Sequence, residues 1–295
     1  MVPINQAPAV EPPGNRIKTI FRQSIKWLVY SLLLVNFLFY FLEELEFASH
    51  TMRTGGTLLE WTTAFATTAD ELAWFGLLFL FELETYVLSD EALKPWLKRS
   101  FHLLRLICYL FLAHTIYAWG DEVVKLETLQ PDSRINELCQ LAGQEISFTR
   151  NLEYTVIDQS NCEQLAEGPV FYPVEDTVFT DQSGFITSRQ LAWVDLIEAL
   201  SWLLVLLTIE MAVRLQERGI TGGRLMMVSY SGKALYGLIF GAAVYWAYKG
   251  HWFYTWDELL WIGGFFAIEL NMKMWRDEIA EQAEITKAVK SDVPV

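Results

Sequence analysis

Blocks of apolar residues too long for a soluble core decide what this chain can become. A helix needs roughly 20 mainly apolar residues to cross about 30 Å of hydrocarbon. Six segments approach that length: 25–41, 71–88, 101–119, 194–215, 234–248 and 259–274. Their apolar residues run together instead of recurring at amphipathic spacing, which marks membrane spans and not surface helices. Composition agrees, because 53% hydrophobic residues with 12 Trp exceed what a soluble domain carries. The expected fold is all-α, a polytopic membrane protein of six transmembrane helices in contact with the lipid bilayer.

Orientation follows from the basic residues. Arg16, Lys18, Arg22 and Lys26 precede the first span, and Lys94, Lys98 and Arg99 separate the second from the third. Arg214, Arg218, Arg224 and Lys233 flank the link between the fourth and fifth, and Lys273, Arg276, Lys287 and Lys290 follow the sixth. Both termini are therefore expected in the cytoplasm, the membrane being a bacterial inner membrane. Residues 1–21 read as a disordered tail, 22–119 as helices 1–3, and 120–190 as an extracytoplasmic cap. Residues 191–275 read as helices 4–6, and 276–295 as a cytoplasmic helix or tail.

The cap holds 13 Asp or Glu against 4 Lys or Arg, so most of the net charge of −14 sits there. Such a balance excludes a nucleic-acid partner, whose phosphates require clustered cations. The cap also holds Cys139 and Cys162. An oxidising compartment makes a disulfide between them the expectation.

One pattern recurs on alternate spans: an acid, Trp four residues on, Glu eight after that, then Leu or Met. It reads Asp70–Trp74–Glu82, Glu198–Trp202–Glu210 and Asp257–Trp261–Glu269. A repeat of this kind predicts three parallel helical hairpins in a pseudo-threefold bundle, with the cap inserted in the second. Along an α-helix rising 1.5 Å per residue, Trp lies about 6 Å and Glu about 18 Å deeper than the first acid.

Ionisable groups at that depth mark an ion pathway or a paired network. In the first reading the outer acids attract cations and Glu82, Glu210 and Glu269 select them, so the function is a cation channel or transporter. The partner is then an inorganic cation, and a bound cation is the one cofactor such a site would take. In the second reading Arg105, Lys26 and Lys233 pair with the glutamates. The chain is then a non-catalytic scaffold or assembly subunit that meets a protein partner through the acidic cap or the C-terminal helix. The Trp tier reads as a membrane-interface belt. Gly237, Gly241, Gly263 and Gly264 are expected to allow close helix approach. No catalytic motif is present, and the four scattered histidines form no transition-metal set.

Overall fold

The computed structural model describes residues 13–83, 94–217 and 223–265. Helix α1 (Pro13–Thr51) begins inside the stretch read as tail. It is followed by the short α2 (Leu58–Ala64), α3 (Ala66–Glu82) and α4 (Pro95–Thr128). After the cap come α6 (Gln182–Glu217), α7 (Arg224–Lys249) and a further helix, α8, over 252–265. Three described segments are long and apolar enough to cross a membrane: Trp27–Thr51, Pro95–Thr128 and Gln182–Ala212. The pair α2 and α3, bent by 71°, makes a fourth if it is one broken span. These lengths and compositions are those of a membrane protein.

The chain is not all-α. Between α4 and α6 lie β1 (Ser147–Arg150), β2 (Glu153–Val156), the one-turn α5 (Cys162–Leu165), β3 (Phe171–Glu175) and β4 (Val178–Asp181). The strands form one mixed sheet in the order β2-β1-β4-β3, with β1 and β4 parallel. Side chains alternate between its faces as a pleated strand requires. Tyr172, Val174 and Val178 pack with Val123 and Leu126 of α4 and with Phe185 and Ala192 of α6. Phe148, Phe171 and Phe179 turn the other way, onto Leu138, Leu141, Ile157 and Cys162. The outer ends of α4 and α6 thus belong to the core of the cap, which is why both helices overrun the limits set by hydropathy alone.

Cys139 and Cys162 are bonded, closing a loop across 23 positions under the second sheet face. Replacing both by alanine is expected to lower the stability of the cap by about 3 kcal/mol, as for a loop of this size. Thermal unfolding followed by near-ultraviolet circular dichroism measures it, and an unchanged midpoint would contradict it.

Contacts divide the chain into two compact units, Phe37–Thr255 and the remainder on either side of it. Within the larger unit the cap grips helix ends. Ser147 Oγ lies 2.8 Å from His50 Nδ1, and Thr177 donates to the His50 carbonyl at 2.6 Å. At the other edge Asn151, in the left-handed region at φ 52°, donates to the Lys249 carbonyl at 3.1 Å. Glu44 of α1 accepts from the backbone N–H groups of Thr67 and Thr68 at 2.7 and 3.0 Å. Those are unsatisfied donors at the start of α3, where a carboxylate is also favoured by the helix dipole.

Close helix approach occurs at glycines other than those expected. A Cβ at Gly76 would meet Cys108 Sγ at 2.8 Å, and one at Gly232 would meet Thr208 Oγ1 at 3.3 Å. At Gly237, Gly241, Gly263 and Gly264 no described atom lies within 4 Å of that position.

Candidate acid–aromatic network

The tryptophans of the repeat are buried, where a membrane-interface belt would leave them exposed. Trp74, Trp202 and Trp261 are 7%, 8% and 8% exposed. A belt residue turns its ring toward headgroups, whereas these are inside the protein. In the larger unit Trp74 of α3 and Trp202 of α6 meet edge to face with centroids 6.1 Å apart. Trp202 in turn meets Tyr236 of α7 at 6.4 Å. Equivalent positions of two repeats therefore touch.

The first acids of the repeat are each engaged by a side-chain N–H. Trp74 donates its indole N–H to Asp70 at 3.1 Å, one turn back on the same helix. Glu198 accepts from an indole as well, but from Trp246 of α7 at 2.9 Å and not from Trp202. In the smaller unit the buried Asp257 accepts from the buried Asn36 amide of α1 at 2.6 Å. In each case a carboxylate takes a neutral donor, which satisfies one of its oxygens.

The deeper tier is less uniform. Glu210 pairs with Arg214 one turn on along α6, with both side chains partly exposed. Tyr109 of α4 lies within electrostatic reach of that pair and of Arg105. Lys233 is exposed and sets its ammonium 5.4 Å over the Tyr230 ring, with no described carboxylate against it. Glu82 is half-buried at the last residue of α3. Glu269 lies outside the described residues, and of Lys26 only the backbone is described.

A second group of carboxylates, unrelated to the repeat, gathers where helices meet the cap. Tyr254 donates to Glu43 at 2.6 Å, and Asp195 and Tyr154 lie within its electrostatic reach. Tyr154 of β2 packs against Phe47 and His50, and Glu122, Glu175 and Glu43 surround it electrostatically. Burial pushes the Tyr154 phenol well above its ordinary value, and those three carboxylates push it further. Lys125 bridges Glu122 and Glu175. Among the described residues no group of three or more His, Cys, Asp or Glu is placed to hold a metal ion.

Two members of the network carried a visible signal. Asn36 is a lone amide inside the apolar run WLVYSLLLVNFLFYFL, where a polar residue needs an internal partner. Glu43 falls with Glu44 and Glu46 in an acidic cluster at the end of that run. Trp246 had no such signal, since its partner is 48 positions away. Compared with known protein families, curated proteins and solved structures, the chain matches none.

Proposed function

We propose that this is a six-span membrane protein of three parallel hairpins in a pseudo-threefold bundle, both termini cytoplasmic, in a bacterial inner membrane. Its acid–Trp–Glu repeat acts as a packing code, and the protein serves as a non-catalytic scaffold or assembly subunit. One observation carries the reading: Asp70, Glu198, Asp257 and Glu210 each have a protein partner, Trp74, Trp246, Asn36 and Arg214 respectively. Carboxylates that select a passing cation need oxygens turned to a wet path. These are used to join side chains. The acidic cap is the surface such a subunit would offer to a protein partner.

A cation channel or transporter is the second reading. It is favoured by the gathering of Glu43, Glu122, Glu175 and Asp195 near Tyr154 and Tyr254, with Lys125 as counter-charge.

The two readings part on one experiment. Glu198→Leu strands the Trp246 indole N–H and is expected to destabilise the protein by about 1–3 kcal/mol, read as a lower thermal midpoint in nanodiscs. Proteoliposomes of the unaltered chain should show no cation flux above protein-free vesicles. Robust flux that Glu82→Gln, Glu210→Gln or Glu269→Gln alters without unfolding would overturn the packing code in favour of the pathway.

A further inference from the structure

Helix α2 is too short to cross anything, and the chain spends effort to form it. Thr57 and Glu60 close a capping box at its start, with Thr57 Oγ1 accepting from the Glu60 N–H at 3.3 Å and Glu60 Oε2 from the Thr57 N–H at 2.6 Å. At its end the axis turns by 71° into α3. Around a helix of 3.6 residues per turn, Leu58, Leu59, Trp61 and Thr62 share one outward arc, and Ala64 faces in. Leu58 is 82% exposed, Leu59 52% and Trp61 41%. Solvated, this face would be an unusual concentration of large apolar groups for seven residues.

The level of α2 and its surroundings say what covers it. The 17 residues of α3 rise about 26 Å, close to the roughly 30 Å of a bilayer's hydrocarbon. A helix bent sharply off its outer end leaves where hydrocarbon gives way to headgroups. The apolar face is also continuous with a flank of the membrane-crossing α1. Leu38, Phe41, Leu42 and Leu45 are exposed there. The Phe41 ring lies 6.0 Å from Phe65, and Phe65 stacks on Trp61 at 6.2 Å.

We infer that α2 lies in the plane of the membrane on the cap side, with Leu58, Leu59 and Trp61 sunk into the boundary between headgroups and acyl chains. Trp61 is the interfacial tryptophan there, a role the repeat tryptophans do not have. Amphipathic helices of this type bury their apolar face about 5–10 Å into that boundary. The anchor fixes the depth of the α2–α3 break, and with it the depth at which Glu44 caps α3.

Single cysteines test it in a Cys108→Ala background, with the Cys139–Cys162 bond left oxidised. Leu58→Cys, Leu59→Cys and Trp61→Cys are compared with Thr54→Cys, an exposed position in the preceding turn. In phosphatidylethanolamine–phosphatidylglycerol nanodiscs, a membrane-impermeant maleimide should label the three α2 positions about tenfold more slowly than Thr54→Cys, as immersion of that depth requires. A bimane attached to them in detergent and then reconstituted should be quenched by brominated acyl chains, and one at Thr54→Cys should not. Labelling as fast as the control overturns the inference. Protection without quenching also overturns it, since a protein surface then covers the helix. Three separate positions guard against one variant failing to fold.

Discussion

Trp202→Ala is expected to destabilise the protein by about 3–5 kcal/mol, the range for deleting a large buried aromatic side chain. The ring is 8% exposed and joins three helices through its edge-to-face contacts with Trp74 and Tyr236. Such contacts add to the loss from area and cavity. Trp252 and Trp96 are 69% and 64% exposed, and alanine at either should cost far less. The comparison is made by SDS titration or thermal unfolding of the three variants in one detergent. Equal and small effects would mean that the repeat tryptophan is a dispensable anchor, as a membrane belt would have it. Trp202→Phe should fall between the wild type and alanine, because it keeps an aromatic edge in the cavity but loses volume.

Arg150→Met should cost about 3 kcal/mol, because removing one partner of a buried ion pair strands the other charge. Arg150 pairs with Asp181, whose side chain is 2% exposed, and with the exposed Glu167. Burial alone would raise the Asp181 pKa. The N–H groups of Gly184 and Glu167, the Ser183 hydroxyl and Arg150 hold it below the ordinary value instead. A depressed carboxylate contributes stability that is present above the unfolded pKa near 3.8 and is lost as pH falls through the folded one. The wild-type cap should therefore soften below about pH 4. In Arg150→Met the acid-dependent part shrinks, since the charged form of Asp181 has lost a donor. Unfolding at pH 7 and pH 3 measures both effects. A variant as stable as wild type at pH 7 would mean that the remaining donors suffice and the ion pair contributes nothing.

Much of the helical framework was legible from hydropathy, and the reason lies in lipid. Spans such as 101–119 and 194–215 answer to a solvent that tolerates few charges, so a long apolar run is nearly unambiguous. The sheet was not legible. Its strands are four or five residues long, too short for a period of two to stand out among loops and charges. Phe171 and Tyr172 illustrate the difficulty: neighbours in sequence, both buried, they serve cores on opposite faces.

The repeat singled out residues whose partners it could not reveal. Asp70–Trp74 is a local pair at i, i+4 and could be read from spacing. Glu198 has the same spacing to Trp202, yet its hydrogen bond goes to Trp246, because the neighbouring helix supplies an indole that spacing within one helix cannot reveal. For the same reason Arg214, one turn beyond Glu210, reaches it, while Lys233 on another helix sits over Tyr230.

Strand β4 passes into helix α6 with no intervening loop. Asp181 ends the strand, and its carboxylate receives the Ser183 hydroxyl and the Gly184 N–H at the start of the helix. Sheet and span are thus one continuous strut, which runs about 43 Å from Asp181 to Glu210 at 1.5 Å per residue. A pull or twist on the cap meets no loop at that seam in which to dissipate. The Glu210–Arg214 turn lies on that same unbroken helix. The cap is in this sense a handle, and a chain with it cut away would lose the grip along with the surface.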